Sequence, residues 1–183
     1  KVKFEYDNKN RLNKITDPEG NTFTAKYDGN GNITSVRFPN GQTKNYSYDV
    51  LNRVIAVTDL TGSIISLTYD NNGNITSLTN GNGATYNAEF DSLDRIKKIT
   101  DPLNNFYLFT YDKNSNLTMV TDRNGYTSTY TYDSLDRVKT ITDNNGNTAT
   151  ATYDVQGNII ALTDQKNNTT HYTYDSLNRV KRM

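Results

Sequence analysis

The chain has no cysteine among its 183 residues, which excludes disulfides and thiolate metal sites and suits an extracellular protein built without redox-sensitive groups. Charge of one sign is also missing. Twenty basic residues balance twenty acidic ones, so no net field recruits nucleic acid or an anionic membrane. No apolar run reaches the length of a membrane-spanning helix, and no signal-peptide pattern is present. Histidine occurs once, as His171, which by itself is a surface residue of a strand rather than a ligand. Aliphatic residues are sparse too: 33% of the chain is hydrophobic and the mean hydropathy is −0.82, values at which disorder competes with folding. Against disorder stand 14 tyrosines and 6 phenylalanines at regular places. These rings must supply most of the buried area.

Their regularity is the strongest signal. Nine aromatic–aspartate pairs recur every 21 residues without interruption: Tyr6-Asp7, Tyr27-Asp28, Tyr48-Asp49, Tyr69-Asp70, Phe90-Asp91, Tyr111-Asp112, Tyr132-Asp133, Tyr153-Asp154 and Tyr174-Asp175. A fixed period of this size marks a repeat architecture whose units bury apolar surface only against their neighbours.

Each unit reads as strand, turn, strand, turn. Thr129-Tyr130-Thr131-Tyr132 alternates hydroxyl and aromatic residues with period two, the pattern of a strand with one aromatic and one hydroxyl face. Asp133-Ser134-Leu135-Asp136 comes next, where the first aspartate can accept backbone N–H groups ahead of it and fix the hairpin. The second strand carries apolar residues three apart, as Val138 and Ile141 or Val54 and Val57. An odd spacing sends them to opposite faces of a regular strand, so either a bulge re-aims one of them, which is the favoured reading, or the first belongs to the turn and packs over its end. The unit closes on Asp-x-x-Gly, as in Asp17-Pro18-Glu19-Gly20 and Asp143-Asn144-Asn145-Gly146. Pro18, Pro39 and Pro102 share one phase there, and Gly, or Asn at Asn104 and Asn167, supplies positive φ. Short turns join antiparallel neighbours, so the expected fold is all-β: a continuous antiparallel hairpin meander of about 18 strands advancing roughly 9.6 Å per unit. The competing reading is a parallel β-solenoid with one 21-residue coil per unit.

A second period lies over the first. Arg11, Arg53, Arg95, Arg137 and Arg179 occupy one position in alternate units, and Asn32, Asn74, Asn116 and Asn158 occupy it in the others. The working unit is therefore 42 residues, with each arginine able to lie over a tyrosine ring or pair with its own turn aspartate. Residues 1–183 are expected to form a single array of nine hairpins without caps, whose open sheet edges would pair with other such segments or with copies of itself.

The motif Y-D-x-x-G/N-R-[LIV]-x-x-[IV]-T-D-P-x-G-N-x-T-x-Y-x-Y-D, seen from Tyr132-Asp133-Ser134-Leu135-Asp136-Arg137-Val138 through Thr142-Asp143-Asn144-Asn145-Gly146-Asn147-Thr148, resembles the Rhs/YD-repeat family over the whole chain. That family includes bacterial Rhs and wall-associated polymorphic toxins, the shell components of insecticidal toxin complexes, and the teneurin YD shell. The resemblance implies a long β-strip that winds into a hollow shell, which in the toxins encloses a toxic polypeptide. The Asp-rich self-cleavage segment of the family does not occur in these residues, and eighteen strands are few for a closed shell.

Catalytic chemistry has no foothold in the pattern. No Ser/His/Asp set or phosphate loop stands out from the repeat, and no cofactor or metal is expected, because turn aspartates that satisfy their own amides need no Ca²⁺. The reading is a non-enzymatic structural wall of a secreted or cell-surface assembly that encloses or carries another polypeptide. Its alternative is an extracellular fibre or adhesive module joined end to end, with carbohydrate as a candidate ligand of the aromatic rows.

Overall fold

A computed structural model describes residues 1–183, and every regular element in it is a strand. In chain order these are β1 (Lys3–Tyr6), β2 (Leu12–Thr16), β3 (Thr22–Tyr27), β4 (Ile33–Arg37), β5 (Thr43–Tyr48), β6 (Val54–Asp59), β7 (Gly62–Tyr69), β8 (Ile75–Asn80) and β9 (Thr85–Phe90). Then come β10 (Ile96–Thr100), β11 (Phe106–Tyr111), β12 (Leu117–Thr121), β13 (Thr127–Tyr132), β14 (Val138–Thr142), β15 (Thr148–Tyr153) and β16 (Ile159–Thr163). The last are β17 (Thr169–His171), β18 (Thr173–Tyr174) and β19 (Val180–Arg182). Successive strands pair antiparallel into a sheet of 17, and β18 and β19 form a further two-stranded ladder. The meander is thus what the sequence describes, and the parallel solenoid is excluded. Nineteen strands replace the expected eighteen because the ninth unit's first strand is interrupted at Tyr172, whose N–H still donates to the Ile160 carbonyl at 2.9 Å. The chain divides into two compact units, Lys1–Ala88 and Glu89–Met183, with the division inside β9. No helix is long and apolar enough to cross a membrane.

Both kinds of turn are built alike. At the Tyr-Asp turn of β13 and β14, Asp136 N–H donates to the Asp133 carbonyl at 3.1 Å and Asp133 N–H donates to the Arg137 carbonyl at 2.9 Å. At the opposite end of β14, Gly146 N–H donates to Asp143 and Asp143 N–H to Asn147, at 3.0 and 2.9 Å. In each case the fourth residue turns left-handed, with φ 58° at Asp136 and 82° at Gly146. This is the type I turn closed by a left-handed residue that matches the strand twist.

The two turns differ in the strand that each leads into. After each Tyr-Asp turn the second strand carries an extra residue. Tyr132 faces Val138 while Thr131 faces Thr140, so Lys139 is unpaired. The same shift recurs at Tyr6, Tyr27, Tyr48, Tyr69, Tyr111, Tyr153 and Tyr174. This bulge resolves the three-residue spacing of the apolar positions. With Lys139 looped out, Val138 opposite Tyr132 and Ile141 opposite Tyr130 fall on one face. One turn departs from the scheme. Asp59 faces Gly62 across a two-residue loop, and a second register shift beyond Val57 restores the phase.

From β13 to β17 the register sorts the faces cleanly. In the second unit one face gathers Tyr130, Tyr132, Val138, Ile141, Ala149 and Leu162, while the other carries Thr131, Thr140, Thr150, Thr163 and Thr169 directly opposite one another on five successive strands. Hydroxyl pairs link neighbouring strands on that face, at 2.6 Å for Thr131 and Thr140 and 2.8 Å for Thr163 and Thr169. Burial, in contrast, is slight. Only Ala25 and Val36 are buried, and no large side chain is fully so. The accessible surface of 12618 Å² compares with about 8,900 Å² for a compact protein of this mass. The aromatic rings are half-buried in one layer rather than packed into a core, because no second layer of this chain covers them.

The Asp143 turn tests the backbone account without interference from packing, since a Cβ at Gly146 meets nothing within 4 Å. Gly146→Val is expected to cost about 1–2 kcal/mol, the penalty of a left-handed conformation for a branched residue. Gly146→Asn is expected to be nearly neutral, as asparagine already occupies this position at Asn104 and Asn167. Urea denaturation followed by circular dichroism measures both, and equal midpoints for the two variants contradict the assignment.

Candidate functional site

The repeated Tyr-Asp turn concentrates the polar structure of the molecule. Its aspartate is the hub. In Asp133, Oδ1 accepts the N–H groups of Leu135 at 2.9 Å and Arg137 at 3.1 Å, and Oδ2 accepts Arg137 Nε at 2.6 Å. Asp7, Asp49, Asp91 and Asp175 hold Arg11, Arg53, Arg95 and Arg179 in the same way. In the alternate turns asparagine substitutes: Asn32, Asn116 and Asn158 donate Nδ2 to Oδ2 of Asp28, Asp112 and Asp154 at 2.9–3.0 Å. Asp70 accepts from Asn74 likewise. Each of these carboxylates is engaged within its own turn, and no group of three or more acidic or histidine side chains comes together as a metal site would require.

The tyrosine reaches the other way. Tyr132 Oη donates to the carbonyl of Leu117, 15 residues earlier, at 2.7 Å. Tyr27, Tyr48, Tyr69, Tyr111, Tyr153 and Tyr174 repeat this bond to Leu12, Ile33, Val54, Ile96, Val138 and Ile159 at 2.7–2.8 Å. The acceptor is always the first residue of the preceding unit's second strand, so the hydroxyl adds a side-chain link between two hairpins that the ladder also joins. Phe90 keeps the ring and has no hydroxyl to donate, and Tyr6 is 58% exposed. Sequence reasoning used these rings as apolar area and as platforms for arginine or carbohydrate, and gave their hydroxyls no partner. The signal it passed over was the preference for tyrosine above phenylalanine at eight of nine positions.

The 42-residue period has a structural cause here. Arg137 Nη1 donates to the carbonyl of Asp154 in the next turn at 3.1 Å, and its guanidinium lies 4.4 Å from the centroid of Tyr153. Arg11, Arg53 and Arg95 do the same to Asp28 and Tyr27, Asp70 and Tyr69, and Asp112 and Tyr111. Both roles read from the sequence, ring stacking and pairing with the turn aspartate, are therefore performed by one side chain. Glycine fits beneath it: a Cβ at Gly157 would stand 3.8 Å from Arg137 Nη1. Ser115 takes the glycine's place in one turn and accepts Arg95 Nη1 on its Oγ at 3.1 Å. From the asparagine turns the forward link is shorter. Asn32 donates to Asn52, Asn116 to Asp136 and Asn158 to Asn178, each to the left-handed residue of the next turn. His171 lies on β17 opposite Ala161, outside this network.

The carboxyls respond to these donors. Those of Asp7, Asp49 and Asp175 fall below the usual range chiefly through the N–H of the arginine four residues on, and that of Asp91 chiefly through the Arg95 side chain. Asp28, Asp70 and Asp154 are lowered chiefly by the asparagine amide. Desolvation is the largest single influence at Asp112 and Asp133 and acts upward, yet their hydrogen bonds together outweigh it. The phenols of Tyr48 and Tyr132 move up, first by desolvation and then by the negative Asp28 and Asp112.

The network makes two outcomes testable. Tyr132→Phe should lose one hydrogen bond and about 1 kcal/mol, whereas Tyr6→Phe should leave the urea midpoint unchanged; a midpoint that Tyr132→Phe does not move removes the hydroxyl from the account. The second outcome concerns acid. A carboxyl whose folded pKa is depressed stabilises the fold above its unfolded value, about 3.9 for aspartate, and that contribution disappears as pH falls through the folded pKa. Thermal melts at constant ionic strength should be level from neutral pH to about pH 5 and fall steeply below about pH 4. A melting temperature constant to strongly acid pH contradicts ionised turn hubs.

Comparison with known proteins agrees with this geometry. The RHS Repeat family model matches residues 27–64, 90–126, 111–148 and 153–183, and the Teneurin YD-shell model matches residues 1–44. No curated protein matches. Among solved structures, TcdB2-TccC3 without its hypervariable C-terminal region superimposes with a TM-score of 0.71 at 13% identity, covering 98% of this chain and 11% of that one. The Tc holotoxin pore of Photorhabdus luminescens is matched at 16% identity and a TM-score of 0.40, over 96% of this chain and 14% of that one. At 13% identity the superposition on TcdB2-TccC3 speaks for the fold, and the chain spans a small fraction of the proteins it matches. The turn hubs, the tyrosine links and the family match over most of the length lead to one assignment: this chain belongs to the RHS repeat family.

Proposed function

We propose that residues 1–183 act as one array of nine hairpins, a stretch of wall in a secreted or cell-surface Rhs-type assembly that encloses or carries another polypeptide. The sidedness of the sheet is the observation that carries the reading. From β13 to β17 one face is aromatic and aliphatic and stays half-exposed, while the other is a field of paired hydroxyls. A wall needs two unlike faces, one toward water and one toward contents, and a single layer with separate chemistries meets that need. The nine aromatic–aspartate pairs serve as structural positions that fix the turns and, at seven tyrosines, fasten neighbouring hairpins, without a catalytic role. The superposition with TcdB2-TccC3 supports the wall fold, and the absence of cysteine fits an oxidising exterior.

Electron microscopy of the purified chain, and of the chain carrying a short unfolded passenger at its C-terminus, tests this. The expected result is hollow or curved particles in which the passenger resists a protease that digests it when free. Unbranched threads with a fully digested passenger would instead establish the extracellular-fibre alternative.

A further inference from the structure

The apolar face is unevenly filled, and comparison of two repeats within the molecule shows what one gap accommodates. In the first unit Ala25 on β3 pairs directly with Val36 on β4, and these are the buried side chains, at 7% and 6% exposure. Phe23 lies two residues before Ala25, hence on the same face, and Phe38 lies two residues after Val36. Their rings meet edge to face with centroids 5.8 Å apart. The strand pair thus provides its own aromatic cover.

Six repeats later the same positions recur without it. Ala151 on β15 pairs with Leu162 on β16, but Ala149 stands where Phe23 stood and Asp164 where Phe38 stood. Leu162 remains 37% exposed, and Ile141, directly opposite Ala149, 40% exposed. A hollow of about 340 Å³ opens here, lined among others by Ala149, Ala151, Ile141, Leu162, Tyr172 and Asn168. That volume is at the small end for ligand sites, enough for one or two rings.

We propose that this hollow is a docking site for a phenylalanine side chain presented by an extended peptide segment of another polypeptide. The ring would enter the space that Phe23 fills in the sister repeat. Ile141, Leu162 and the alanines offer apolar contact, which favours phenylalanine over a side chain that must hydrogen-bond. The hollow is open on one side, so a free ring would leave much of its surface in water and bind poorly. A peptide adds neighbouring side chains that lie along Val138 and Tyr172 beside the hollow, and so supplies what the ring alone lacks. The inference goes beyond the wall function, because it concerns one place on one face and its test does not depend on particle closure.

The test is a titration of the full chain, with isotope-labelled alanine, isoleucine and leucine methyls, followed by NMR. The probes are the peptide Ser-Thr-Phe-Thr-Ser, the same peptide with alanine in place of phenylalanine, and phenol. The expected result is saturable shifts at the methyls of Ala149, Ala151 and Leu162 with the phenylalanine peptide and none with the alanine peptide. Ala149→Phe, which restores the internal cover, should abolish the shifts at Ala151 and Leu162 and raise the melting temperature. Leu162→Ser should weaken binding at least tenfold. Absence of saturable shifts with the phenylalanine peptide overturns the proposal, as does phenol producing them at equal concentration, which would assign the hollow to free aromatics. Should Ala149→Phe fail to fold, undiminished affinity in Leu162→Ser overturns it.

Discussion

A sheet one layer thick has no interior, so what joins one hairpin of this chain to the next cannot be burial alone. The link that recurs is the tyrosine hydroxyl donated to a carbonyl 15 residues earlier, held in place because the adjacent aspartate has fixed its own turn. The two residues of the Tyr-Asp pair thus work in opposite directions along the chain. Aspartate closes its hairpin forward, and tyrosine fastens that hairpin to the one behind. A carbonyl at the start of a bulged strand is a good acceptor, since the extra residue disrupts the ladder there. The bulge, the turn and the hydroxyl bond therefore form one structural unit rather than three.

The alternation of arginine and asparagine solves a problem of reach. Every hairpin end must contact the next, but the side chains that do so meet in a narrow row. A long guanidinium spans from its own aspartate to the next turn's carbonyl and tyrosine ring, passing over the left-handed residue of that turn. The next turn uses asparagine, which reaches only the left-handed residue of its neighbour. Such contacts are individually modest: a stacked arginine near the surface contributes about 0.5–1 kcal/mol. Their weight lies in repetition, since a linear array gains stability from each nearest-neighbour interface in turn. Ser115 shows how narrow the tolerance is. It replaces glycine with φ 72° and is accommodated by accepting a hydrogen bond from the arginine above it.

The one-sided sheet also explains why the function reads as architecture. Its polar residues are spent on turns and on links between turns, and its hydroxyl face pairs threonine with threonine. What remains open is apolar: half-exposed rings and aliphatic side chains on one face, with a hollow where Ala149 and Asp164 stand in place of two phenylalanines. Surface of this kind suits the proposed role of a wall in contact with another polypeptide.

Much of this was legible in the letters because it is local. The period gave the unit, Asp-x-x-Gly gave the turns and the need for positive φ, and period-two alternation gave strands with unlike faces. Even the bulge could be inferred, since Val138 and Ile141 cannot otherwise share a face. Three features could not be read there, and all depend on distance through space. The tyrosine bond spans 15 residues and ends on a backbone carbonyl, a group that carries no sequence signature. The arginine's two partners lie in different units, so composition suggested each role without showing that one side chain fills both. Burial was the largest departure: rings expected to be covered are half-exposed, because covering a sheet face requires a second layer, and these residues build only one. The sequence alone thus determined the repeat, its turns and its strand faces, all of which come from backbone conformation and side-chain periodicity. Tertiary structure decided how neighbouring units are fastened and which apolar surface stays open, because both depend on where distant atoms come to rest.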